Sequence, residues 1–456
     1  MSNEKMVRVA NAQGFWGDSI LAPIRLVNEG PIDYITFDYL AEITMSIMQK
    51  QRARNPEHGY ALDFIRMLER ILPTCKEKGI KVIANAGGVN AKACAQATKE
   101  LITRLGLTGM KVGIVEGDDI LERLPEITAG GESLSNLDNG APLSDVQDRI
   151  SSANVYIGAQ PMVEALEQGA DIIITGRASD PSLVVAPLVY EFGWSMDDFD
   201  KLAAGTIMGH IMECGAQCTG GNYTNWHKVD NFANIGYPIC EAKADGSFVV
   251  TKHDDTGGIV NIETITSQLL YELGDPQNYL GPDCIADFTS IQLADDGPNR
   301  VAVSGIKGRP ATPTYKVSIS YNNGYKLLSS LCVPGPDAIE KGQVLADAVF
   351  ERLELHGYSI PKEQRFVEFF GSNVLLKGLV PHNAQPHEVM VRIGARSDDK
   401  EALMALGGEI VPMVTSGPPG VTGFAGGRPR PQEVVGYWPA LIDKSLITTT
   451  VKVSEV

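Results

Sequence analysis

Short apolar runs alternate with helix-forming segments over roughly the first 200 residues, hairpin signals crowd the stretch after Tyr237, and mixed helix and strand patterns return in the final hundred or so. Together these predict an α/β fold: a largely parallel N-terminal sheet flanked by helices, then an antiparallel hairpin-rich region and a mixed α/β C-terminal part. The change of texture divides the chain into an α/β domain over residues 1–235 and a mixed β-rich and α/β domain over 236–456. Strands are predicted at Val7–Ala10, Tyr34–Phe37, Lys81–Ala84, Lys111–Val115, Val155–Gly158 and Asp171–Thr175, with helices such as Ala91–Leu105 and Pro161–Gln168 between them. Beyond Tyr237, Asp245-Gly246 inside Ile239–Lys252, Asp295-Asp-Gly-Pro-Asn and Asn322-Asn-Gly read as hairpin turns, with a helix around Thr264–Leu273. The last part predicts a helix near Gln343–Leu355, strands at Phe366–Phe370 and Glu388–Gly394, and a helix from Asp398, its N-cap, to Ala405.

Each predicted parallel strand delivers a polar or glycine-rich loop. Asn11-Ala-Gln-Gly, Asp38, Asn85-Ala-Gly-Gly, Glu116-Gly-Asp, Gln160 and Gly176-Arg-Ala-Ser-Asp180 follow one another. In open α/β sheets the ligand crevice lies beyond the carboxyl ends of the strands, so this succession points to a shared pocket.

A second concentration of polar chemistry lies at residues 205–223. His210, Cys214 and Cys218 fall four apart, so on one helix they share a stripe, with Glu213 one step round and Gly220-Gly221 as the expected stop. Metal binding is constrained by geometry. His210 and Cys218 would stand about 12 Å apart along the axis, whereas zinc ligands lie about 2.0 to 2.3 Å from the ion. No zinc-protease helix, paired-cysteine or calcium-loop pattern occurs, and no metal is expected. There is no dinucleotide fingerprint either, and no cofactor is expected.

The net charge of −17, from 39 basic and 56 acidic residues, argues against a nucleic-acid or anionic-membrane binder, which needs a basic face. No apolar run reaches membrane-spanning length, the start of the chain lacks a signal region, and seven cysteines lack framework spacing. These features predict a cytoplasmic protein with reduced thiols. Its partner would be a small-molecule carboxylate or acyl-CoA, and its assembly a homo-oligomer.

The chain resembles the acyclic terpene utilisation protein A family. The resemblance is carried by Gly30-Pro-Ile-Asp-Tyr-Ile-Thr-Phe-Asp-Tyr-Leu-Ala-Glu, Ile174-Thr-Gly-Arg-Ala-Ser-Asp-Pro-Ser and Gly209-His-Ile-Met-Glu-Cys-Gly-Ala-Gln-Cys-Thr-Gly-Gly-Asn. Gln268-Leu-Leu-Tyr-Glu-Leu-Gly-Asp-Pro and Gly417-Pro-Pro-Gly-Val-Thr-Gly extend it along nearly the whole chain. It implies a catabolic protein of acyclic terpene breakdown through acyl-CoA intermediates. Longer members add a small ferredoxin-like domain after Trp438-Pro-Ala-Leu, so a related branched or unsaturated acid stands beside the terpenes as substrate.

Glu213 and His210 lead the catalytic candidates, because chemistry beside a thioester carbonyl needs an acid and a base drawn toward neutral pKa by burial. Glu213 paired with Arg177 or His210 as a buried structural bridge is the equal alternative. Asp38, followed by Glu42, and Asp180 complete the catalytic set; as a helix cap and a turn-shaping partner of Arg177 they would be structural. Arg177 suits a substrate carboxylate through its planar fork. Asn11 and Asn85 join it as substrate-binding candidates. Lys252 with Gly257-Gly258 resembles a phosphate cradle, though such a turn also serves as a hairpin end. Arg428 in Gly426-Gly-Arg-Pro-Arg-Pro suits a phosphate-bearing ligand or a subunit contact. Two function classes follow. One is an enzyme of hydratase, lyase or hydrolase type; the other is a non-catalytic binding or assembly subunit of an acyl-CoA-processing complex.

Overall fold

The short Val/Ile-rich runs, buried on both faces, form the centre of one large sheet, as parallel strands covered by crossover helices require. The computed structural model describes residues 5–381, 385–423 and 427–456, and it falls into two units, Met1–Ser320 with Tyr437–Val456, and Tyr321–Gly436. In the first unit the strands are β1 (Met6–Gln13), β2 (Tyr34–Phe37), β3 (Lys81–Ala84), β4 (Lys111–Glu116), β5 (Ile150–Val155) and β6 (Ile172–Thr175). They alternate with helices α1 (Leu21–Glu29), α2 (Glu42–Arg54), α3 (Leu62–Lys78), α4 (Ala91–Arg104), α5 (Leu124–Ala129) and α6 (Gln160–Glu167). Then come α7 (Ser182–Phe192), α8 (Phe199–Met212), β7 (Ile239–Lys243), β8 (Phe248–Thr251), α9 (Ile262–Leu270), β9 (Tyr279–Leu280) and β10 (Cys284–Asp287). The remaining strands are β11 (Gln292–Asp295), β12 (Val301–Ser304), β13 (Lys307–Pro310), β14 (Thr314–Pro334), β15 (Arg365–Phe370), β16 (Glu388–Ser397), β17 (Thr422–Gly423), β18 (Gln432–Asp443) and β19 (Thr450–Glu455).

β1, β2, β3, β6 and β4 run parallel in that order, the predicted parallel sheet. The β7–β8 and β11–β12 hairpins extend it antiparallel beyond β1, and β19 closes the other edge against β4. The hairpin-rich region therefore continues the first sheet. Gly246 at φ +89° makes the predicted β7–β8 turn. Three expectations need correcting. Val155–Gly158 is no strand: β5 ends at Val155, and Ile157 makes only an isolated bridge to Ala178. Asn322-Asn-Gly makes no hairpin: the chain stays extended through Thr314–Pro334 with Gly324 at φ +76°, a local kink that left-handed glycine permits. The late helix is capped one residue later than predicted, by Asp399 in place of Asp398, because the Asp399 carboxylate takes the N–H groups of Glu401 and Ala402.

The second unit packs α10 (Ala338–Leu355), α11 (Lys400–Ile410) and α12 (Met413–Ser416) with the antiparallel run β15–β16–β14–β17 around its own core, which includes Leu345, Val349, Val391, Ile393 and Leu406. In the first unit the sheet buries Ile35, Phe37, Val82, Ala84, Ile172 and Ile174 against Leu68, Leu72 and Ile102 of the flanking helices. Phe37 and Tyr39 stack with centroids 6.2 Å apart, and each meets Phe64 edge-on, so both residues flanking Asp38 are anchored in the core. Burying each such ring is worth about 1.5–3 kcal/mol, which fixes where the carboxyl between them stands. No helix among the described residues is long and apolar enough to cross a membrane.

α8 lies on α7 through its glycines. A Cβ on Gly209 would come within 2.5 Å of Pro181 Cα and 2.9 Å of Pro181 O, both backbone atoms. Gly209→Ala gains about 1 kcal/mol of helix propensity, yet is expected to destabilise the protein by about 1–3 kcal/mol through that overlap. Urea denaturation checks this; an alanine variant at least as stable as wild type contradicts the close packing that sets His210 beside the Arg177–Asp180 turn.

Candidate active site

The carboxyl ends of the parallel strands converge as the sequence pattern predicts. Asn11 stands at the end of β1 beside a register shift in its pairing with β2, Asp38 follows β2, Asn85 follows β3, Asp118 follows β4 and Arg177 follows β6. All are buried. Asn85 Nδ2 donates to Asp38 Oδ1 at 2.6 Å while its Oδ1 accepts the Tyr39 N–H at 2.7 Å. The Asn11 amide donates to the carbonyls of Met212 (2.7 Å) and Glu213 (3.0 Å), orphan acceptors at the end of α8, and its Oδ1 accepts the Thr36 hydroxyl. Both asparagines thus spend their amides on protein groups and fix the walls of the site.

Arg177 is the buried cation of this cluster. It donates to the Leu40 carbonyl and, at 2.9 Å, to Asp180 Oδ1, and its guanidinium lies 4.1 Å from the centroid of the Tyr156 ring. Its backbone N–H goes to Asp118 Oδ2 at 2.7 Å, a carboxylate that Asn154 also holds. Burial works against the charged guanidinium, but Asp180, Tyr156 and Asp38 outweigh it and hold the group charged.

α8 does not run on to Gly220. It ends at Met212 with Glu213 as its C-cap, and Gly215 at φ +55° turns the chain into a short 3-10 segment, Gly215–Thr219. Cys218, beyond that turn, therefore leaves the stripe of His210. Burial, reinforced by Glu213, pushes the Cys214 thiol up to about 12, so it stays protonated at neutral pH. Among the described residues no group of three His, Cys, Asp or Glu stands ready to hold a metal ion.

His210, only 1% exposed, has the rings of Tyr279 and Phe288 edge-on at 5.5 and 5.2 Å. Its Nε2 meets the Gln268 carbonyl at 3.1 Å, and the Gln268 amide returns a bond to the His210 carbonyl at 3.0 Å. Its Nδ1 lies 2.9 Å from Glu213 Oε1, an ion-pair distance, though off the line of a well-formed hydrogen bond. Burial disfavours the imidazolium, yet Glu213 and the Gln268 carbonyl outweigh it and raise the ring above its ordinary value.

His210, Glu213, Arg177 and Asp180 line one cleft of about 320 Å³, together with Tyr156, Glu272, Tyr279 and Lys316. Lys316 Nζ is 4.8 Å from the Tyr156 ring centroid, and the Lys316 carbonyl accepts the Tyr156 N–H at 3.0 Å. Asp38 and Asn85 stand behind this cleft, linked to it through Arg177. Sequence reasoning did not single out Tyr156, Tyr279, Lys316 or Gln268. Gln268 opens one of the segments that carry the family resemblance, which was the one available signal.

A family model described as Acyclic terpene utilisation family protein AtuA matches residues 7–453, nearly the whole chain. The chain belongs to the AtuA family. No curated protein and no solved structure matches it. AtuA membership implies acyclic terpene utilisation, and the matched region includes every residue of the cleft.

Three of the predicted ligand contacts in this AtuA-family chain lie away from the cleft. Lys252 Nζ donates to the Thr256 carbonyl at 2.8 Å within its own loop, while the N–H groups of Gly257 and Gly258 donate to the carbonyls of Asn234 and Asp230. The exposed donors expected of a phosphate cradle are thus committed to backbone. Arg428 is exposed in the second unit, Gly426 lies outside the described residues, and so does the side chain of Glu42.

The buried carboxyls make stability depend on pH. Burial, offset in part by Arg177 and Asn85, lifts Asp38 to about 6; burial likewise lifts Asp118 to about 7. An unfolded aspartate ionises near 3.9, so the folded chain keeps protons that the unfolded chain has released. The stability these groups supply is complete below about pH 4 and is lost as pH rises through 6 to 7. His210, raised in the fold, acts in the same direction, its share fading above the ordinary imidazole value. The melting temperature is therefore expected to be higher at pH 5 than at pH 8. Asp118→Asn is expected to flatten that slope by removing a cost on the order of 4 kcal/mol. A variant whose melting temperature tracks wild type at every pH contradicts the buried-acid account.

Proposed function

We propose that this protein is a cytoplasmic, homo-oligomeric catabolic enzyme of acyclic terpene or related branched-acid degradation. It acts on a CoA-linked or free carboxylic acid by acid–base chemistry of the hydratase, lyase or hydrolase type. The observation that supports this best is the His210–Glu213 pair set in one polar cleft with the buried Arg177. Proton transfer beside a carbonyl needs a group that removes a proton, a means of returning it, and a positive charge for the oxygen that becomes electron-rich. The pair supplies the first two. Arg177, with Lys316 nearby, supplies the third, in a setting where low dielectric makes a fixed charge count for more than in water. The cleft has room for the acyl end of a substrate, so a CoA nucleotide would extend outside it.

A panel of acyl-CoA esters and free branched acids, screened by thermal shift, tests the reading. A ligand present at 100 times its dissociation constant is expected to add about 2.7 kcal/mol of stability. The Arg177→Met variant, compared with its own unliganded melt, is expected to show no such gain. Hits that stabilise the variant as much as wild type would place the ligand elsewhere.

A further inference from the structure

We infer that Glu213 is the group that exchanges protons with the substrate, and that His210 serves it as a positioning residue whose tautomer is set by the backbone carbonyl of Gln268. The inference rests on the acid–base reading above and assigns the roles within it.

A carbonyl oxygen only accepts, so the 3.1 Å contact from Gln268 O requires the hydrogen on His210 Nε2. The titrating position of the ring is then Nδ1, which faces Glu213 Oε1 at 2.9 Å. Two unprotonated atoms at that distance would repel, so one proton belongs to the pair, whether as imidazolium with carboxylate or as imidazole with carboxylic acid. Access separates the two partners. Both residues border the cleft, but the His210 side chain is 1% exposed and edged by Tyr279 and Phe288, whereas the Glu213 side chain is 13% exposed. Both ring nitrogens are engaged by protein groups, while the carboxylate has a second oxygen to offer.

The backbone on each side of the pair is clasped as well. The Gln268 amide holds the His210 carbonyl, and the Asn11 amide holds the carbonyls of Met212 and Glu213. The residues α8, α9 and the strand ends contribute are thus spent on keeping this short stretch in place, as a preorganised proton-transfer group requires. In the step itself, a substrate C–H or water O–H bond breaks, its electron pair stays on the substrate carbon or hydroxide oxygen, and the proton passes to Glu213. His210 keeps both N–H hydrogens and balances the charge. Glu213 then returns the proton to the adjacent atom, leaving the pair as it began. Arg177, Asp180, Tyr156 and Lys316 in the same cleft, Tyr271 and Glu272 at the end of α9, Asp38 behind Glu213, and the Cys214 and Tyr279 side chains are further titratable groups around the pair.

Two measurements on the full-length protein test the assignment. In long-range proton–nitrogen NMR of the ¹⁵N-labelled chain, with His210 assigned by loss of its signals in His210→Gln, Nε2 is expected to stay protonated throughout a pH titration. Only Nδ1 should titrate, and its midpoint should drop by a pH unit or more in Glu213→Gln. A neutral ring carrying its hydrogen on Nδ1, or an unchanged midpoint in Glu213→Gln, overturns the assignment. The second measurement follows exchange of the α-hydrogens of 3-methylbutanoyl-CoA in heavy water by mass spectrometry. Glu213→Gln is expected to slow exchange at least 100-fold, whereas His210→Gln should slow it less and Gln268→Met about tenfold, in both at unchanged KM. Exchange that survives in Glu213→Gln but not in His210→Gln reverses the roles and also overturns the assignment. Absence of exchange in wild type, with the tautomer as expected, counts against the acid–base reading instead.

Discussion

Glu213→Gln is expected to lower kcat by about 10²- to 10⁴-fold, the usual worth of a positioned acid–base group, and to move the melting temperature by only a few degrees. Glutamine matches glutamate in shape and can keep the C-cap position of α8, where the backbone is held by Asn11. Loss of the carboxylate leaves His210 without its counter-charge, but the ring can become neutral and keep its bond to the Gln268 carbonyl. Chemistry should therefore fail while the fold survives. Steady-state kinetics on the best ligand from the thermal screen, alongside a circular-dichroism melt, checks both halves. If activity and folding are lost together, the pair is a structural bridge.

Arg177→Met should differ by failing in both respects. The guanidinium is 2% exposed, holds the Leu40 carbonyl and Asp180, and lies on the face of Tyr156. Its removal leaves buried or half-buried carboxyls without a cation, a change that costs about 3–5 kcal/mol when one partner of a buried pair is deleted. The cost should depend on pH, with a definite sign. Arg177 pulls the Asp38 pKa down, so without it Asp38 stays protonated to higher pH and its ionisation becomes more costly. The destabilisation should thus be larger at pH 8 than at pH 5, and turnover should be lost at both. Equilibrium denaturation at the two pH values measures it. A loss of stability that is equal at both would mean that Asp38 does not sense Arg177.

Much of this arrangement was legible in the sequence because it depends on local patterns. Val/Ile runs of four to six residues specify strands, and a strand must end in something soluble, so Asn11, Asp38, Asn85 and Arg177 could be read as neighbours before any coordinates. The Asp245-Gly246 turn was equally local. What could not be read depended on distant partners. Gly220-Gly221 looks like the stronger helix stop, yet α8 ends earlier because Gly215 adopts a left-handed conformation against Tyr237 and Asn11 takes the terminal carbonyls. Gly257 and Gly258 look like exposed donors until Asn234 and Asp230 supply acceptors from another loop. Asn322-Asn-Gly has the composition of a turn, but β16 pairs with Tyr325–Pro334 along its length and keeps the chain extended. Tyr156, Gln268, Tyr279 and Lys316 enter the site from segments with no distinctive spacing of their own.

The central claim is that the strand-end loops and the end of α8 form a single catalytic cleft, and a crystal structure with a bound ligand from the thermal screen tests it most directly. The expected result is electron density for the ligand between Arg177 and Glu213, its acidic or carbonyl oxygen toward the guanidinium and its reacting carbon within about 3–3.5 Å of a Glu213 oxygen. Density instead beside Lys252, or on the exposed Arg428 loop, with the Glu213 carboxylate untouched, would contradict the account.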